Sequence, residues 1–119
     1  MDNKKLGDKG EALAAAYLKN KGYRILAQNW RFYHKEIDII AENHDFIVFV
    51  EVKTRQDNFL QNPHESVNLK KEKNIIEAAD EYVCSQNIEK EARFDIISVL
   101  AYNGKTSIRH IPDAFQPTF

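Results

Sequence analysis

Residues 36–53, EIDIIAENHDFIVFVEVK, place Glu36, Asp38, Glu51 and Lys53 inside two apolar runs. Charged groups are rare in such runs unless they are paired or bind a metal. A tight turn at His44 and Asp45 pairs Asn43 with Phe46, and opposed residues then have numbers summing to 89. Asp38 falls opposite Glu51 and Glu36 opposite Lys53. Residues two apart on a strand share a face, as do directly opposed residues. The four groups are therefore expected on one side of the hairpin, and a one-residue slip would separate them.

Opposed carboxylates repel, and three arrangements relieve them: a shared proton with a raised pKa, a nearby cation such as Lys53, or a bound metal. Mg2+ takes oxygen ligands, commonly one or two carboxylates plus substrate phosphate. Asp38 and Glu51 would supply that pair, with the Val52 backbone carbonyl as a third oxygen. Lys53 would stand beside the attacking water, to orient or deprotonate it. The bland alternative is a solvated salt-bridge face, worth little per pair. Two features weigh against it. Glu51 is embedded in IVFVEVK, the most apolar run of the chain, and Glu11 shares a helical face with Leu18, from which it would reach a site on the sheet. Taken alone, Glu11 reads as a first-turn charge favoured by the helix dipole.

The elements that must position these groups follow from periodicity. Residues 8–21 predict a helix, with Leu6, Leu13, Ala14, Tyr17 and Leu18 at helical spacing and Gly22 as its stop. Strands are expected at 23–30, 36–42 and 46–54, the last apolar on both faces as a central strand would be. A polar loop spans 55–65, and a second helix 66–85, capped by Ser66, with Val67, Ile75, Ala79, Tyr82 and Val83 as core candidates. RFDIISVL (93–100) and TSIRHI (106–111) complete the strands, around an Asn103-Gly104 turn. The order α-β-β-β-α-β-β points to an α/β fold with a mixed five-stranded sheet flanked by helices.

A length of 119 residues fits a single domain, 1–119. The net charge of -1 does not imply nucleic-acid binding by bulk charge, so such binding would need a local basic surface. Lys70, Lys71 and Lys73 offer one at the start of the second helix, with a solvated helix face as the alternative. Arg93 and Asp95 read as a structural pair, and the four histidines show no metal-ligand spacing. Trp30 and Phe32 beside Arg31 suit either base stacking or the core, the core being the expectation. A lone cysteine, Cys84, excludes an internal disulfide and is expected as a small buried apolar group. A reducing cytoplasm is the expected compartment, with no signal peptide or membrane span in the charged N-terminal stretch.

The segments GDKGEALAAAYL, GYRILAQNW, EIDIIA, FVEVKTR, SVNLKKEK, RFDIISV and HIPDAF, in this order, resemble the YraN-like family of small bacterial proteins. Asp38 and Glu51-Val52-Lys53 resemble the D-x(n)-E-x-K signature of the restriction-endonuclease-like superfamily, similar to archaeal Holliday-junction resolvases. The resemblance implies a divalent-metal-dependent DNA endonuclease acting on branched or structured DNA with Mg2+ or Mn2+. Asp38 and Glu51 would be metal ligands, Lys53 the catalytic lysine, Glu11 an extra acid touching the metal through water, and Glu36 a supporting acid. Arg55 and Lys71 would contact phosphate, with Lys70 beside them. Lys35 departs from the glycine common at that position of the family and would either alter the strand entry or add a phosphate contact. Junction resolvases act as symmetric dimers, which makes a homodimer an expectation, with HIPDAFQPTF as candidate surface. The competing expectation is a non-catalytic nucleic-acid-binding or partner-binding module on the same fold.

Overall fold

The computed structural model describes residues 3–56 and 69–117. Helix α1 (Asn3–Asn20) leads into β1 (Arg24–Phe32), β2 (Lys35–Glu42) and β3 (Phe46–Arg55). Helix α2 (Leu69–Ser85) then precedes β4 (Glu91–Tyr102) and β5 (Lys105–Phe115). This is the expected α/β order, with a mixed five-stranded sheet ordered β1-β2-β3-β4-β5. β3 and β4 run parallel and the other neighbours antiparallel. A parallel pair cannot be joined by a hairpin, so the chain crosses over through α2. Ser66, Val67 and most of the expected polar loop lie outside the described residues.

Both helices end where the sequence supplies a residue tolerant of left-handed backbone. Gly22 (φ 94°) follows α1, and Tyr23 N–H closes back on the Leu18 carbonyl at 3.0 Å. Asn87 (φ 52°) does the same after α2, where Ile88 N–H reaches the Val83 carbonyl at 3.0 Å. The β2–β3 turn is held by Asn43, whose side-chain oxygen accepts the N–H groups of Asp45 and Phe46 at 2.9 and 2.8 Å.

The sheet separates two cores. α1 lays Ala14, Ala15 and Leu18 on Ile39, Ala41, Val48, Val50, Ile97 and Val99. α2 lays Ile75, Ile76, Ala79 and Tyr82 on Ile37, Ile40, Ile47, Phe49, Phe94 and Ile96. β3 is therefore buried on both faces, which explains its unbroken apolar run. Trp30 packs against the α2-side core and its ring meets Tyr82 edge-on at 5.2 Å, so the core expectation for it holds. The C-terminal segment packs on its own domain at Phe115, which stacks on Phe94. Cys84 corrects the sequence reading, because it is exposed. It lies two positions past the buried Tyr82, about 200° around the helix and so away from the sheet.

Candidate active site

The β2–β3 ladder runs from Glu42↔Ile47 to Ile39↔Val50, the register in which numbers sum to 89. Past Ile39 the pairing changes character. The Asp38 carboxylate accepts the Val52 N–H at 2.8 Å, so a side chain takes up a donor that belongs to the strand edge. The cause lies on β1. Asn29, between the pairs Gln28↔Ile39 and Trp30↔Ile37, has a left-handed φ of 52°. Asn tolerates that conformation better than most residues. The kink turns the ribbon over: Ile37 and Ile40 face α2, whereas Ile39 and Ala41 face α1. Regular alternation would keep Ile37 and Ile39 on one face. Asp38 sits at the switch.

This corrects the expectation of one shared face: the kink separates Asp38 from Glu51, and neither Asp38↔Glu51 nor Glu36↔Lys53 is a ladder pair. Asp38 opens into a cleft of about 270 Å3 lined by Leu6, Gly7, Glu11, Val52, Thr54 and Lys71. Glu51 does not line it. Only 1% exposed, it follows Ile47 and Phe49 on the α2 face. Lys71 of α2 joins the two, lining the cleft while its Nζ lies 2.6 Å from Glu51 Oε1. Lys53 Nζ is 3.5 Å from the same oxygen. Among the described residues neither Glu51 oxygen accepts a well-directed hydrogen bond, so these lysines act on Oε1 as ionic neighbours and no described donor reaches Oε2.

Glu11 reaches the cleft because α1 comes unusually close to β3. A Cβ on Gly10 would stand 2.0 Å from Thr54 Oγ1, so the approach depends on that glycine. Asn29 hydrogen-bonds Glu11, tying the helix to the kink that re-aims Asp38. Glu36 pairs with Arg31 at 3.0 Å and still contributes negative field at Glu11 and Lys71.

The electrostatics follow from this crowding. Burial pushes the Asp38 pKa up to about 6, and Glu11 and Glu51 push the same way against the Val52 N–H and Lys71. Burial also raises Glu11, helped by Glu36 and Asp8 and opposed by the Asn29 bond. Burial alone would lower Lys71, but Glu51, Asp38 and Glu36 outweigh it and raise the ammonium pKa. The cleft is an over-acidic pocket in which Lys71 supplies positive charge.

The remaining sequence candidates are placed as follows. Arg55 ends β3, Lys70 is exposed on the first turn of α2, and Lys35 closes an ion pair with Glu77 of α2. Asn29, Thr54 and Gly10 were not singled out by the sequence reading. A glycine inside a helix costs about 1 kcal/mol against alanine, so Gly10 carried a signal of close approach.

Oxygen donors fit a hard divalent cation. Asp38 and Glu51, on either side of Val52 at the splayed end of the ladder, are the carboxylates such a cation would use, with the Val52 carbonyl as a further oxygen. Among the described residues no group of three or more His, Cys, Asp or Glu side chains is arranged to hold a metal, so a cation here would rest on the two carboxylates, backbone oxygen and water.

The sequence model of "Uncharacterised protein family UPF0102" matches residues 10–99, which include every acid of the site. The chain belongs to this family. It is 44% identical to a UPF0102 protein of Parabacteroides distasonis, covering 92% of this chain and 91% of that one. A UPF0102 protein of Alkaliphilus oremlandii is 48% identical, with 95% and 99% covered. One of Bacteroides thetaiotaomicron is 44% identical, with 98% and 96% covered. The UPF0102 match runs from the middle of α1 through most of β4 and covers the cleft residues other than Leu6 and Gly7. No described helix is long and apolar enough to cross a membrane.

Proposed function

We propose that this UPF0102 chain is a divalent-metal-dependent DNA endonuclease that hydrolyses phosphodiester bonds, with branched or structured DNA as its substrate. The observation that carries the reading is the Asp38–Glu51–Lys53 set at the splayed end of β2 and β3, with Asp38 raised to about 6 and Glu51 buried with no described donor on Oε2. A protein gains no stability from such under-satisfied acids, so their presence calls for a bound partner.

Asp38 and Glu51, with the Val52 carbonyl, would hold Mg2+ or Mn2+, and Glu11 would orient a water against it. Such a cation lowers the pKa of a water and offsets charge developing on phosphate. Lys53, held 3.5 Å from Glu51, would align the attacking water and take or share its proton. Glu36 keeps the field at the cleft mouth negative, and Lys71, Arg55 and Lys70 would meet the phosphate backbone. Lys71 would then exchange Glu51 for phosphate when a cation arrives.

The Lys71–Glu51 ion pair also favours a second reading, a non-catalytic nucleic-acid-binding module whose acids are neutralised by lysine. The two separate in one experiment. Four-way and forked DNA substrates are incubated with Mg2+ and the wild-type, Asp38→Ala and Lys53→Ala chains. The nuclease reading expects cuts that both substitutions reduce at least about a hundredfold. Cleavage at full rate in both variants would refute it. Binding without cleavage, unaffected by Lys53→Ala and weakened by removing Arg55 and Lys71, would establish the module instead.

A further inference from the structure

The β1–β2 hairpin ends in a turn at Tyr33 and His34 that the catalytic assignment does not use. Tyr33 is 84% exposed, more than the other large apolar residues left exposed, Leu69 and Tyr102. Its φ is 58°. Positive φ elsewhere among the described non-glycine residues falls on Asn29, Asn87, Asn103 and Asp113, whose short polar side chains tolerate it. For a bulky ring the same conformation is a strained outlier. Tyr33 therefore combines two unfavourable features, backbone strain and an aromatic ring in water, and no described core contact offsets either. Strain held in this way is associated with functional positions.

The tip is built to present the ring. The Phe32 ring lies 4.7 Å from Tyr33, edge to face, and Phe32 is anchored in the α2-side core. Arg31, with its side chain 67% exposed, and the exposed His34 flank it. A guanidinium has five N–H donors, more than its one carboxylate partner Glu36 takes up. Tyr33 precedes Asp38 by five positions, the first two in the turn, so at 3.3 Å per residue they lie at most about 16 Å apart along the ribbon. That is no more than about five nucleotides of stacked strand at 3.4 Å each.

We propose that Tyr33 is a stacking platform for an unpaired DNA base within about five nucleotides of the cleaved phosphate, which gives the site a preference for junctions and forks over continuous duplex. The inference rests on the nuclease reading above. A π-face recognises any base, so the selectivity is for strand structure and not for sequence. In paired DNA both faces of each base are already stacked, and Tyr33 has nothing to cover.

The test uses a forked DNA with 2-aminopurine at successive unpaired positions and a fully paired duplex of the same length. Binding is measured in EDTA in an Asp38→Asn background, which prevents cutting and removes one negative charge from the cleft. The expected result is fluorescence quenching at one position within about the first five unpaired nucleotides, retained in Tyr33→Phe. Tyr33→Gly should bind the fork at least about fivefold more weakly, from the loss of one base–aromatic stack. The same substitution should raise the thermal midpoint, because glycine adopts φ 58° without strain. A role in folding alone would lower that midpoint. Unchanged fork affinity in Tyr33→Gly, or duplex bound as tightly as fork, overturns the stacking role and leaves the nuclease reading standing. No binding to either DNA overturns both.

Discussion

Two carboxylates of the same sheet meet opposite fates. Asp95 of β4 is fully buried and completely served. Arg93 grips both its oxygens at 2.9 and 2.8 Å, His110 Nε2 lies 2.7 Å from Oδ2, and the Asp113 N–H donates to Oδ1 at 3.0 Å. With its proton on Nε2, His110 donates to Asp95 and accepts the Tyr17 hydroxyl at Nδ1, 3.2 Å away. Burial would raise the Asp95 pKa, but these bonds outweigh it and hold it below the usual carboxylate range. Asp38 has one backbone donor and two acidic neighbours, and burial carries it up to about 6. Burial is common to both groups, and the partners decide the outcome. A satisfied buried acid reads as architecture, and an unsatisfied one beside a cleft reads as a site awaiting a ligand.

Substitutions can break this contrast from either side. The largest effect is expected from Asp95→Asn, which leaves the half-buried Arg93 guanidinium without its counter-charge. Loss of about 3–5 kcal/mol in a denaturant titration is the expectation, and an unchanged midpoint would show that the network is dispensable.

Asp38→Asn should do the reverse. A carboxylate with a raised folded-state pKa contributes most below its unfolded pKa, and that contribution is lost as pH rises through about 6. At pH 8 the ionised Asp38, with its carboxyl pushed up to about 6, therefore costs on the order of 3 kcal/mol. The amide variant should be more stable than wild type at pH 8 by up to that amount, with the gain vanishing near pH 4. Equal stability at both pH values would remove the burden assigned to Asp38. Opposite signs for Asp38→Asn and Asp95→Asn at pH 8 are the sharpest form of the comparison.

Gly10→Ala is expected to cost about 1–3 kcal/mol by overpacking against Thr54. Pushing α1 off β3 should also withdraw Glu11, so DNA cleavage should fall further than stability accounts for. A variant as stable and active as wild type would show that the close approach is not needed. Tyr17→Phe, which removes only the hydroxyl on His110, should cost about 1 kcal/mol, with cleavage at saturating metal unchanged. A loss of activity there would couple the two regions that the comparison separates.

Much of this was legible in the chain. The hairpin register followed from the turn at His44 and Asp45 and the apolar alternation, and the structure keeps it from Glu42 to Ile39 but not on to the Asp38↔Glu51 and Glu36↔Lys53 pairs. The element order, Gly22 as a stop and the Arg93–Asp95 pair followed from local chemistry that tertiary packing did not override. The division of labour between Asp38 and Glu51 was not legible. It depends on a kink at Asn29, a residue of another strand, and a left-handed backbone leaves no periodic trace in sequence. The Lys71–Glu51 pair was hidden as well, because it depends on how α2 crosses the sheet. His110 joined Asp95 through the β4–β5 register, which shifts by a bulge between Phe94 and Ile96. Exposure of Cys84 was a matter of helix phase, and an apolar residue type overrode it in the reading.

The most direct test of the account is Mn2+ calorimetry on the full chain, wild type against the Asp38→Asn/Glu51→Gln double variant, first alone and then with forked DNA present. The account predicts saturable binding in the wild type, strengthened by the DNA phosphates and abolished in the double variant. Absence of binding at millimolar Mn2+ under both conditions, or equal binding by the double variant, would contradict the claim that these acids are placed to hold a cation against phosphate.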